Sequence, residues 1–366
     1  AANSALLASA VVGDYVLFAN HPRVLRSALT ALQAPSLSLE ENPSYQQALA
    51  QLDQPRIGFL YANFPALSAW LGNRGQSLNP GLDQTLTLEI SLRSEGLLIN
   101  GALSGLPPLA AFSTASAPTP TSVPPEAALI LSSRDLNGFW GRVQDDLPPA
   151  SPLQQTLAQL LERLDVSLGL DIAETIFPAL QGDYQLILLP GPAWVLTAER
   201  ADGADWEGVW SRLDELAQSQ GYTLSSLPVL GQTVSAWTTL MPTQQGAVTT
   251  LEAQVKGAHL TLGEREIFGT SLEALSQILN PQGETPPALT QALGALPQEN
   301  LGYLYVDWPA SKDYLTERIP LLRVLELSLR PLFQNLRSVA FGAPASGETA
   351  LGQGTVYLKL GVNSAS

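Results

Sequence analysis

Residues 13–103 and 257–360 read as two copies of one structural unit, and no other feature limits the possible folds as tightly. At an offset of 244, Gly13 falls on Gly257, and a short apolar run follows each (YVLFA and HLTLG). The register slips through SALTAL (27–32) and SLEAL (271–275), then recovers. From Gln47 to Leu71 the match is ungapped, and 11 of 25 positions are identical, among them Gly58, Leu60, Tyr61, Pro65 and Leu71. Where identity fails, character often persists: Phe59 aligns with Tyr303, Phe64 with Trp308 and Trp70 with Tyr314.

The unit itself reads as α+β. Alternation in GYLYVDW predicts a strand, and the proline after it (Pro65, Pro309) suits the first turn of a helix, where a missing N–H costs nothing. SKDYLTERIPLLRVLELSLRPLF predicts a helix broken at Pro320, and 86–103 and 337–360 predict β-hairpins. The expected architecture is antiparallel sheets with helices packed on them, internally duplicated as one partial and one complete unit. Residues 1–105 would be the tail of the first unit and 106–126, rich in Pro, Ser and Thr, a semi-extended linker. Residues 127–366 would be a complete unit, with head 127–256 and tail 257–366. In the head, Asp135 predicts an N-cap, Ser151-Pro152 opens an amphipathic helix, 171–182 predicts another, and Trp206 and Trp210 stand at i, i+4 of a helix ending near Gly221. Strands are expected at 232–240 and 247–256. If the duplication is complete in the gene, a second head of similar length is expected ahead of Ala1.

Composition excludes several function classes. There are 33 acidic residues against 18 basic ones, and the only lysines are Lys256, Lys312 and Lys359. A chain this acidic lacks the basic patch that neutralises nucleic-acid phosphates or anionic lipid, so neither is an expected partner. The absence of cysteine excludes disulfides, thiolate metal sites and thiol nucleophiles. The longest apolar stretch, Leu186–Ala198, is interrupted by Pro190, Gly191 and Pro192 and is too short to span a bilayer as a helix.

Six segments together resemble a known family: VVGDYVLFANHPRVLRSAL, LQGDYQLILLPGPAWVLTAE, VSAWTTL, EIFGTSLEAL, GYLYVDWP and LRVLELSLRPLFQNLRSV. They are similar to cyanobacterial proteins grouped as domain-of-unknown-function family 3352, over nearly the whole chain. The resemblance implies an extracytoplasmic protein of the periplasm or thylakoid lumen, tethered by an N-terminal hydrophobic anchor that this chain does not include. It carries no catalytic residues.

The residues offer little reactive chemistry. His21 and His259 are scarce and out of register between the copies, aligning with Arg265 and Tyr15. The sequence has no G-x-S-x-G, Walker A, G-x-G-x-x-G or H-E-x-x-H motif, and GNRG (72–75) and GQGT (352–355) lack the context of a phosphate loop. The acidic groups Asp145/Asp146, Asp202/Asp205/Glu207 and Asp214/Glu215 fit solvated helix faces better than a calcium or acid–base site. No cofactor or metal is expected. The sharpest single spot is Asp307-Trp308 with its counterpart Asn63-Phe64: strand-end capping and packing is the first reading, a ligand or partner contact the second. The seven tryptophans could line an apolar groove, but packing is again the first reading. The leading functional expectation is a non-enzymatic interaction or scaffold protein with a protein partner, in thylakoid or envelope assembly. The alternative is a binder of a hydrophobic small molecule or lipid held between sheet and helices.

Overall fold

A computed structural model describes residues 7–50, 52, 55–70, 84–106, 116–120, 122–148, 151–191, 193–245, 248–280, 285–345 and 352–361. The chain divides into two compact units, Ala1–Pro55 and Arg56–Ser366.

In the first unit, β1 (Ala8–Val12) and β2 (Tyr15–Ala19) form an antiparallel hairpin that turns at Gly13, whose φ of 57° lies in the left-handed region. Helices α1 (Pro22–Gln33) and α2 (Pro43–Ala50) follow. The Nδ1 of His21 accepts the N–H of Arg23 and caps α1.

The second unit is built on one antiparallel sheet. Its elements are β3 (Gly58–Asn63), α3 (Phe64–Trp70), β4 (Thr85–Arg93), β5 (Gly96–Ser104), β6 (Leu129–Arg134), α4 (Leu136–Asp145), α5 (Pro152–Leu168), α6 (Ile172–Thr175), β7 (Asp183–Leu188) and β8 (Trp194–Glu199). There follow α7 (Trp206–Ser219), β9 (Thr223–Val229), β10 (Gln232–Gln245), β11 (Val248–Leu262), β12 (Arg265–Gly269), α8 (Leu272–Leu279) and α9 (Pro287–Gly294). Last come β13 (Asn300–Asp307), α10 (Trp308–Arg318), α11 (Pro320–Ser328), α12 (Arg330–Asn335), β14 (Leu336–Pro344) and β15 (Gln353–Leu360). The α+β class is as expected. Among the described residues the strands of this unit form a single 13-stranded sheet, ordered β3-β4-β5-β15-β14-β13-β6-β7-β8-β12-β11-β10-β9.

The core follows from the register. Directly opposed residues on neighbouring strands share a face. One such row runs Leu98, Tyr357, Ala340, Tyr305, Ile130, Ile187, Val195, Gly269, Ala258, Ala236 from β5 to β10. All but Gly269 belong to the main hydrophobic core, closed by Leu275 and Ile278 of α8 and Leu289 and Ala292 of α9. The opposite face carries a smaller cluster in which Tyr184 and Ala198 meet Trp206 and Val209 of α7.

Three expectations change. Matching the two hairpins on their left-handed turn glycines sets Gly13 against Gly263 (φ 62°), not Gly257. In that alignment Phe18 corresponds to Phe268, and the capping residue His21 to Ser271, which caps α8. Gly257 sits inside β11, because that strand runs unbroken to Leu262. The expected helix 171–182 shortens to α6 and a 3-10 turn at Phe177–Ala179. Pro178 lacks an N–H, crowds the carbonyl four residues back and disfavours helical geometry at Phe177. Within the expected linker, residues 107–115 and 121 lie outside the described residues, as does GNRG. Around them, Ala117 and Val123 are buried in the main core, and the Ala117 N–H donates to the Asn300 carbonyl at 2.7 Å. These two residues draw their burial from the main core rather than from the composition of the stretch.

Candidate functional site

Helix α7 crosses the second face of the sheet and forms one wall of a cavity. Its start is set by Asp205, whose Oδ1 accepts the Gly208 N–H at 2.9 Å, and Glu207 in the first turn favours the positive helix end. Trp206, Val209, Trp210, Leu213, Leu216 and Ala217 recur at helical spacing and line the cavity. The sheet supplies the other wall through Trp194 and Leu196 of β8, Phe268 of β12 and Trp237 of β10. Gln220 and Lys256 are the exposed lining residues and mark its open side. The volume is about 240 Å³, and the lining is mostly apolar.

The aromatic wall is a connected stack. Trp206 and Trp210 stack at 5.4 Å between ring centroids, and Trp210 stacks on His259 at 4.4 Å with 13° between planes. Phe268 touches both Trp194 and Trp237 at 5.2 Å. Such pairs prefer defined geometries, so the wall is stiff as well as apolar.

Two carboxylates hold this stack in place. Glu266 is only 2% exposed. Trp210 donates its Nε1–H to Glu266 Oε2 at 2.8 Å, the Thr261 hydroxyl donates to the same oxygen at 2.9 Å, and Arg200 Nε lies 3.4 Å from Oε1. Thr261 is directly opposite Glu266 in the β11–β12 register, so the sheet itself aligns this bond. A carboxylate this buried needs such donors, since an unpaired one would be strongly destabilising. Asp214 of α7 plays the same part next door. Trp237 donates its Nε1–H to Asp214 Oδ1 at 2.6 Å, and His259 Nε2 lies 3.1 Å from that oxygen. Trp237 also explains Gly257, directly opposite it: a Cβ at residue 257 would come within 2.5 Å of the indole Cε3. Only glycine lets the ring lie flat there.

The His259–Asp214 pair resembles half of an acid–base relay. His259 is buried beneath Trp210, however, and no hydroxyl among the described residues is hydrogen-bonded to it. Its geometry orients the aromatic wall. Among the described residues no group of three or more His, Asp or Glu is placed to hold a metal. A second cavity, of about 250 Å³, lies by the ends of β7 and β8. It is lined by Asp183, Glu199 and Glu264, of which Asp183 is already paired with Arg134.

The two spots singled out as a ligand or partner contact, Asp307-Trp308 and Asn63-Phe64, do not meet, whereas His259, Asp214 and four of the tryptophans come together at the cavity. Asp307 caps α10 by accepting the Ala310 N–H at 3.0 Å, and Asn63 accepts the Ala66 N–H at 2.9 Å at the start of α3. Trp308 is buried with its ring 5.1 Å from Phe333, and the Phe64 N–H donates to the Gln84 carbonyl. Four strands separate β3 from β13, so the two spots lie on the order of 24 Å apart at the usual strand spacing. Sequence reasoning missed the pairing of His259 with Asp214 and of Glu266 with Trp210 and Arg200, because these partners are remote in the chain. The tryptophan pair on α7 was the one visible signal.

No helix among the described residues is long and apolar enough to cross a membrane, which says nothing of crossing by strands. A family model described as "Protein of unknown function (DUF3352)" matches residues 1–360. The chain belongs to this family. No curated protein and no solved structure matches it. The family's description assigns no activity, so the cavity and its hydrogen-bonded wall are the site on which a functional reading rests.

Proposed function

We propose that the chain is a non-enzymatic binder of a hydrophobic small molecule, held between α7 and the sheet. The observation that carries this reading is the cavity walled by Trp194, Trp206, Trp210 and Trp237, with the indole N–H groups of Trp210 and Trp237 held by Glu266 and Asp214. An apolar, largely pre-formed cavity with few polar groups is the usual form of a small-molecule site. Native mass spectrometry of the chain purified under mild conditions is expected to show a retained apolar molecule. Ala217→Phe, which fills the cavity, should release it. An unliganded mass together with no tryptophan response to apolar probes would refute the reading.

A second reading, an interaction or scaffold protein with a protein partner, is favoured by exposed apolar surface elsewhere. Beyond its pairing with β9 and β12, the outer part of the β10–β11 hairpin pairs only with itself among the described residues. It leaves Leu240 63% and Leu251 68% exposed. A two-stranded ribbon is marginal alone, so such a ribbon gains from a partner. In the first unit, Val11, Tyr15 and Phe18 are exposed too, although Phe268, which corresponds to Phe18, is buried. On this reading the protein works outside the cytoplasm, tethered to a membrane, and the matching hairpin–helix successions reflect a duplication. Crosslinking from the ribbon in native membranes is expected to recover a protein partner, and recovery of none would count against it.

A further inference from the structure

We infer that the ligand of the tryptophan-walled cavity carries an acidic head group, and that Lys256 pairs with it; this rests on the binding reading above. The first observation is a β-bulge. Gly257 is opposite Trp237 and Val255 is opposite Thr238, so Lys256 is the extra residue between them. Strict alternation would send Lys256 to the other face of the sheet from Gly257 and His259. The bulge breaks that alternation, and Lys256 lines the cavity on the same side as Trp237. Bulges are a recurrent means of re-aiming one side chain at a site.

The second observation is charge. The other two lysines are engaged, Lys312 with Glu326 and Lys359 with Glu95 and Gln291. Lys256 has no carboxylate or other hydrogen-bond partner among the described residues, in a chain with 33 acids against 18 bases. The nearby acids do not satisfy it. Asp214 is taken by Trp237 and His259, and Glu266 by Trp210, Thr261 and Arg200. An ammonium at the open side of an apolar cavity is complementary to an amphiphile whose acid stays at the mouth while its hydrocarbon enters. The size of the cavity, just under the roughly 300–1,000 Å³ of common ligand sites, limits that hydrocarbon to a short alkyl chain or a small ring system.

The test titrates the full chain with octanoate, 1-octanol and octylammonium near neutral pH and low salt, reading tryptophan fluorescence. Octanoate is expected to bind about fivefold more tightly than octanol, the range of a single partly exposed ion pair, and octylammonium more weakly than either. Added salt should shrink the preference. Lys256→Gln should weaken octanoate about fivefold, while Lys256→Arg, which keeps the charge, should retain the preference. Circular dichroism confirms that both variants fold. Equal binding of octanoate and octanol, or undiminished octanoate binding by Lys256→Gln, would overturn the head-group inference and leave the cavity reading standing. If none of the three probes binds, the cavity reading falls and this inference with it.

Discussion

The indole Nε1 of Trp210 donates to Glu266 Oε2 at 2.8 Å, from a helix on one side of the cavity to a strand on the other. This single bond joins α7 to β12 and sets the plane on which Trp206 and His259 stack. Glu266→Gln keeps an acceptor but loses the ion pair with Arg200, and is expected to cost about 1–2 kcal/mol. Glu266→Ala leaves the Trp210 N–H and the Thr261 hydroxyl without their acceptor and should cost about 3 kcal/mol. Urea unfolding measures both, and near-ultraviolet circular dichroism should show the tryptophan signal weakening only in the alanine variant.

Gly257 makes a sharper test of the wall's geometry. A Cβ there would lie within 2.5 Å of Trp237, so Gly257→Ala has to push the indole off the strand and away from Asp214. A loss of about 2 kcal/mol is expected, as for other overpacked interiors, with a red-shifted tryptophan emission. Gly294→Ala is the control. It lies at the end of α9 with open space around its Cβ position, and should be neutral or slightly stabilising.

Local chemistry made much of the secondary structure legible. The caps Asp135 and Asp307, the break at Pro320 and the tryptophan pair on α7 are each written within a few residues of sequence. What stayed hidden depends on contacts between distant segments. The register through Gly257 could not be read because two kinds of glycine look alike in a string: one turns a hairpin, the other makes room for a ring. Nothing local announces that β5 and β15 pair and merge both halves of the unit into one sheet, with Thr355 donating to Asn100 at 3.1 Å across that seam. The cavity was hidden for the same reason, since its walls come from five separate elements and its anchoring carboxylates look like ordinary surface acids.

Alkaline stability follows from buried tyrosines. Burial raises the pKa of Tyr184 above the usual phenol value; its bond with Ser133 works the other way, and the charge of Asp135 adds to the rise. Burial also raises Tyr305 and Tyr357. A phenol whose folded pKa exceeds its unfolded value of about 10 holds its proton more tightly in the native state. That contribution is complete below about pH 10 and is lost as pH climbs through the folded pKa. The urea midpoint should therefore hold up to about pH 10 and fall above it, and fall less in Tyr184→Phe. Tyrosinate absorbance should show a class of phenols that ionise only as the protein unfolds.

Asp307 and Asn63 separate capping from ligand contact. Each accepts a helix N–H three residues on, so Asp307→Ala and Asn63→Ala should each cost about 1 kcal/mol of stability. Asp307→Asn keeps the acceptor and should cost only a few tenths of that. Neither residue lines the tryptophan-walled cavity, so octanoate should bind all three variants as it binds the parent chain. A variant that keeps its urea midpoint but loses octanoate binding would return these positions to the ligand site and move the search from α7 to the strand ends of β3 and β13.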